Sequence, residues 1–197
     1  MKCPEYIRVG NKEYKINTDF RVAIECNEIA ENKNIGDYER ALAIIYKLYG
    51  SEALNDFNNH QKILELTKKY LACGQELKET HEQPDMDYVE DMDYIEASFM
   101  SDYNIDLSNT NMDWYKFNKL INGLSNSEMG NCCVLNRVRN LRNFNVSEIK
   151  DQKERQKIIK AKQQVALKKN KVKKQATEKQ KESAKKFIEA LGLKGGN

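Results

Sequence analysis

The sequence predicts a mainly α-helical protein with an N-terminal β-hairpin, a compact helical bundle and a long basic C-terminal arm, helical or disordered. Three observations predict it. Apolar residues recur at steps of three and four through most of the first 147 residues, the helical period. Only residues 5–16 alternate with period two, around a Gly10-Asn11 turn signal. From Ser147 onward the chain turns to Lys, Gln, Glu and Ala, with high helix propensity and few apolar residues. The chain thus divides into a helical body over 1–146 and an arm over 147–197.

In the hairpin, Ile7 and Val9 alternate with polar neighbours, as do Tyr14 and Ile16. The turn sets a register in which Arg8 faces Glu13 and Ile7 faces Tyr14. A hairpin alone is marginal in water, so its apolar face must rest on the helices C-terminal to it. Thr18 and Asp19 are cap residues for a helix carrying Phe20, Ala23 and Ile24. Asn34 to Asp37 reads as a loop. Asp37 opens a helix with Tyr38, Ala41, Leu42, Ile45, Leu48 and Tyr49 on one face, stopped by Gly50. A third helix runs from about Asn59 to Cys73, with Ile63, Thr67, Tyr70 and Leu71 inward. Glu76 to Asp87 is polar, contains Pro84, and reads as a flexible connector.

The densest signal lies between Asp91 and Leu124. Met92, Ile95, Phe99 and Tyr103 share one helical face, and Trp114, Phe117, Ile121 and Leu124 share another. A short polar connector, Ser108 to Asn111, makes the two stripes a helical hairpin. Beyond Gly130, Cys133, Val134, Val138 and Leu141 suit either one more short helix or an irregular segment. Near the end, Ala184, Phe187, Ile188 and Leu191 form a last amphipathic stripe. It is either a docking peptide for a partner groove or a face that folds back on the body.

Charge is divided unevenly. The net charge of +3 is the sum of about −7 over residues 1–147 and +10 over 148–197, and ten acids fall between Glu79 and Asp106 with no Lys or Arg up to Tyr115. Among them, Asp85, Asp87, Asp91 and Asp93 read as the exposed face of a helix, some of them near its N-terminus. No apolar run reaches the roughly 18 residues that span a bilayer. The N-terminus shows no secretory signal, so the five cysteines are expected to be reduced and the protein cytoplasmic.

Two histidines, His60 and His81, and one adjacent cysteine pair, Cys132-Cys133, do not make a metal-ligand pattern. No phosphate loop, nucleophile elbow or triad spacing is present, so no catalytic, cofactor or metal residue is assigned. The candidate partner-binding residues are Trp114, Phe187, Ile188 and Leu191. A buried Trp114 would make it core; an exposed one would make it a binding hot spot. The Lys-rich arm attracts phosphate non-specifically, so nucleic acid is a second candidate partner, although one Arg and one aromatic supply little for base reading or stacking.

Asp91-x-Asp-Tyr-Ile-x-Ala-Ser-Phe99, Tyr103-x-Ile-Asp-Leu107 and Trp114-x-x-Phe117-x-x-Leu120-x-x-Gly-Leu124, with Tyr14-Lys-Ile-x-Thr-Asp-Phe-Arg21 before them, resemble the bacteriophage gene-product-fifteen family over roughly residues 5–142. The resemblance implies a phage or prophage tail-module protein of the bacterial host cytoplasm. The implied role is a tail assembly chaperone, not an enzyme, that binds the tape measure or tail tube protein. A structural tail component and a nucleic-acid-binding accessory protein are the alternatives. After Arg142 the segment is longer and richer in Lys, Gln and Ala than the family's short basic stretch.

Overall fold

The computed structural model describes residues 2–75, 84–126 and 132–168. Among these are two strands, β1 (Tyr6–Val9) and β2 (Lys12–Lys15). Seven helices come after them: α1 (Phe20–Glu31), α2 (Asp37–Leu54), α3 (His60–Leu71), α4 (Met92–Tyr103), α5 (Trp114–Asn122), α6 (Val134–Asn143) and α7 (Gln152–Val165). The described residues fall into two compact units, the first made of those in 2–75 and 91–136, the second of those in 84–90 and 137–168. The division falls inside α6, ten residues before the composition change at 147.

In the first unit the hairpin has the register its turn dictates. Ile7 pairs with Tyr14 and Arg8 with Glu13, whose side chains meet at 2.9 Å. Gly10 takes the positive φ (+60°) that the turn requires. Ile7, Val9, Tyr14 and Ile16 are buried, and β1 lies against α3 and β2 against α2. The Tyr14 hydroxyl donates to Asp56, which also accepts from Asn59 Nδ2 at 2.8 Å and pairs with Lys12 at 3.0 Å. Tyr14 and Lys12 thereby pin the hairpin to the corner between α2 and α3, where Asn59 also holds the carboxylate.

α1 and α5 start at the same place. Asp19 caps α1 by accepting from Arg21 N at 2.8 Å, and Asp113 caps α5 by accepting from Lys116 N at 2.9 Å. The residues around the caps bridge: Phe20 N donates to Met112 O at 3.1 Å and Trp114 N to Thr18 O at 2.9 Å. Two helices far apart in sequence are thereby fixed at their N-termini. Arg21 stabilises the same corner, donating to the carbonyls of Leu107 and Thr110 from above the Phe20 ring.

α2 continues past Gly50 with a break, because Gly50 adopts φ +77° and ψ −167°. The glycine ends one helical run as expected, and a second short run continues to Leu54. α4 ends at Asn104 in the left-handed region (φ +53°), and Ile105 N reaches back to Phe99 O at 3.2 Å. The segment after Gly130 forms a helix, α6, which decides between the two alternatives its weak pattern allows. The first turn of α6 is capped from α4: the Leu135 N–H donates to the Ser98 hydroxyl at 2.9 Å, which itself donates to Tyr94 O at 2.6 Å.

Phe117 is the centre of the first unit's core. Its ring stacks on Phe20 at 4.3 Å, Phe99 at 5.4 Å and Trp114 at 6.0 Å between centroids. One aromatic side chain therefore joins α1, α4 and α5. The two stripes between residues 91 and 124 pack as a helical hairpin, with Tyr103 Oη donating to Leu120 O at 2.9 Å.

The second unit is built around Asp85 and Arg142. Asp85 accepts from Arg139 Nε at 3.2 Å and Asn143 Nδ2 at 3.0 Å. Arg142 donates to Asp85 O at 2.8 Å and to Val165 O at 2.6 Å, tying α6 to the end of α7. Leu167 is buried just beyond α7, and a groove of about 430 Å³ lies beside it, lined by Pro84, Val146, Ile159 and Lys162 among others.

Three sequence expectations require correction. Tyr38, assigned to the inward face of α2, is 64% exposed. The acids read as an exposed helix face are not all on the surface: Asp91 is fully buried, and Asp85 and Asp87 are partly covered; Asp102, later in α4, accepts from Ser125 N at 2.7 Å. The connector expected over 76–87 is in part anchored, through Asp85; residues 76–83 lie outside the described residues. No described helix is long and apolar enough to cross a membrane.

Candidate functional site

The buried polar groups of the first unit are committed to structure. Asp56 is held down to about 2 by hydrogen bonds from Tyr14, Asn59 and Lys12. Tyr49 shares a 2.9 Å hydrogen bond with Thr67, whose hydroxyl donates to Ile63 O at 2.8 Å; burial pushes Tyr49 up to about 12. All five cysteines are free thiols. Burial pushes Cys26 up to about 12 and Cys73 up to about 11, which keeps both protonated and weakly nucleophilic. Cys3 Sγ lies 4.0 Å from Tyr70 Oη and is raised in the same direction by burial.

Trp114 is 2% exposed, the position of the core alternative. Its Nε1 donates to Leu71 O at 2.9 Å, satisfying a carbonyl at the C-terminus of α3 that the helix itself leaves free. The other partner-binding candidates, Phe187, Ile188 and Leu191, lie outside the described residues.

The exposed apolar surface is concentrated elsewhere, on α2. Tyr38 and Tyr46 are 64% and 56% exposed, and Leu42 between them is partly exposed. At spacing i, i+4, i+8 the three share one outward stripe of the helix. Its C-terminal end runs into an open groove of about 790 Å³ beside Gly50. Ile16, Leu48 and Tyr49 form its apolar floor, with Lys15, Tyr46 and Ser51 along its edge. Gly50 borders this groove and faces open space, since an added Cβ there would meet nothing within 4 Å. Asn17 N donates to Leu48 O at 2.7 Å, fixing the wall formed by residues 15–18. Lys47, next to the stripe, is held by Glu25, which raises its pKa.

The sequence pattern does not single out Tyr46, and it counts Tyr38, which shares an angular face with the buried Ile45 and Tyr49 but stands exposed in the first turn of α2, as core. A signal is nevertheless present. α2 carries Tyr38, Leu42, Ile44, Ile45, Tyr46, Leu48 and Tyr49, spread over about 200° of arc, wider than a single core-facing stripe. Ile44, Ile45, Leu48 and Tyr49 face the core, and the surplus faces outward.

The fold and this face define a small, mainly helical protein with an N-terminal hairpin and an outward aromatic stripe. The chain belongs to the Bacteriophage Gp15 protein family, whose pattern it matches over residues 3–167. It is therefore a phage protein. The match passes Arg142 and takes in α7, so the segment 143–167, read from the sequence as a departure, lies within the family's pattern. Neither a curated protein nor a solved structure matches the chain.

Proposed function

We propose that this phage protein is a non-enzymatic tail assembly chaperone that binds the tape measure or the tail tube protein in the host cytoplasm. The observation that carries the reading is the outward aromatic stripe of α2 on a chain of the Bacteriophage Gp15 family. Tyrosines supply large, rigid contact area at low entropic cost and are enriched at protein interfaces. A helical, amphipathic client chain would lay its apolar face along Tyr38, Leu42 and Tyr46 and into the groove floored by Ile16 and Leu48. Stoichiometric binding of this kind covers client surface that would otherwise aggregate, and it needs no bond making or breaking. The structural engagement of Asp56, Tyr49 and the buried thiols suits a binding scaffold.

The test is co-expression of the full chain with the tape measure and tail tube proteins of the same phage, followed by affinity purification. A stable complex with one of them, together with a higher soluble yield of that client, is expected. Recovery of neither client refutes the reading. Mass spectrometry of purified particles separates a chaperone, which is absent from them, from a structural tail component, which is present.

A further inference from the structure

α7 is a helix with two different faces. Ile159 and Lys162 line the groove beside Leu167, and Asp151 fixes the helix start by accepting from Glu154 N at 2.7 Å. The outer face carries Lys153, Gln156, Lys157, Lys160, Gln163 and Gln164, all exposed. At 3.6 residues per turn these six fall within an arc of about 120°, with Gln163 at the edge that borders the groove. No carboxylate enters that arc; Glu154 lies about 60° beyond its edge. The acids on this helix are thus kept to its first turn, and the solvent face presents only ammonium and amide groups.

We propose that this face of α7 binds the sugar-phosphate backbone of nucleic acid, without sequence preference. The composition of the arc discriminates between classes of partner. A protein interface buries apolar side chains at its centre and is depleted in Lys there, and this face has no apolar side chain to bury. A membrane-surface helix needs an apolar face to insert, and the apolar residues of α7, Ile158, Ile159, Ala161 and Val165, lie outside this arc and are half-buried. Lys and Gln are side chains that contact phosphate oxygens. Lys153, Lys157 and Lys160 are spread over about 10 Å of helix, against a duplex charge every 1.7 Å or so, so each can meet a phosphate. The arc holds no Arg and no aromatic ring, which leaves base reading and stacking unsupplied and predicts indifference to sequence.

The experiment measures binding of the full chain to a fluorescent duplex of about 20 base pairs between about 50 and 200 mM NaCl, the range over which phosphate binding is most salt-sensitive. The triple variant K153Q/K157Q/K160Q is compared with K33Q/K69Q/K116Q, which removes three exposed lysines from the first unit. Neither set touches a buried side chain, and circular dichroism verifies that both fold. Each lysine–phosphate pair that is removed lowers the salt slope by about 0.9, so the α7 variant should give up about 2.7 of the slope of log K against log salt. Over that fourfold salt range the difference amounts to about 40-fold in affinity. The first-unit variant should keep the wild-type slope, and scrambling the duplex sequence should change nothing. Equal effects of the two variants overturn the proposal. So does a failure of the wild-type chain to bind the duplex at the lowest salt, including the case in which polyglutamate is bound through α7 instead.

Discussion

Phe117 is the residue on which three helices converge, and its removal should be felt accordingly. Its ring is fully buried and stacks on Phe20, Phe99 and Trp114. Phe117→Ala removes the transfer free energy of the ring and leaves a cavity bounded by three other rings that cannot all collapse into it. Substitutions of this type cost about 3–5 kcal/mol. The stacked pairs place this site toward the upper end, since each such pair adds roughly 0.5–1.5 kcal/mol beyond area burial. A domain holds only about 5–15 kcal/mol of stability in total, so the variant should lose a third of it or more. Phe117→Leu keeps most of the apolar volume and should cost roughly half as much or less. Phe57→Ala, at a site 69% exposed, should stay within about 0.5 kcal/mol of the parent. Urea unfolding followed by circular dichroism and by the fluorescence of Trp114, the chain's only tryptophan, measures all three. A cost below about 1 kcal/mol for Phe117→Ala, with an unchanged m-value, would refute the placement of Phe117 at the convergence of the core.

The polar interactions set two further outcomes. Ser98→Ala strips the acceptor from the buried Leu135 N–H and should cost about 1–3 kcal/mol in urea; a neutral result would mean that α6 is not capped from α4. The carboxyl of Asp56 is depressed from 3.8 to about 2 in the folded chain, so its contribution is present above its ordinary value and is lost as pH falls from about 4 toward 2. Asp56→Asn should therefore flatten the stability profile in that acid window, and urea midpoints at a series of pH values would show whether it does.

How far the chain can be read without coordinates depends on how local the determining physics is. The hairpin register is fully legible, because a two-residue turn and period-two alternation fix it within twelve residues. Phe99, Trp114 and Phe117 are legible as core because each stripe is clean over three turns. Tyr38 is misread because periodicity fixes a residue's angle on a helix and not whether other elements reach its turn; Tyr38 has the angle of Ile45 and Tyr49 but stands in the first turn of α2. α1, β2 and α3 pack on α2, where Ile44, Ile45, Leu48 and Tyr49 are buried and Tyr38 is not. The paired starts of α1 and α5 are invisible for a related reason. Asp19 reads as a cap and Asp113 stands just before the Trp114 stripe, but nothing local brings together two residues 94 positions apart. Asp91 and Asp85 look like surface acids by composition, and only the tertiary structure covers them. The aromatic stripe, the element on which the proposed function rests, is recoverable in principle from the wide apolar arc of α2, whose edge Tyr46 occupies.

The most direct measurement of the central claim is the affinity of the full chain for its tape measure or tail tube client, compared with that of a Tyr38→Ser/Tyr46→Ser variant. Both side chains are exposed, so the variant should unfold at the same urea concentration as the parent. If the α2 stripe holds the client, binding should weaken by more than about tenfold, since interface aromatics of this kind carry about 2 kcal/mol or more each. An unchanged affinity in a folded variant would contradict the account and move the binding face away from α2.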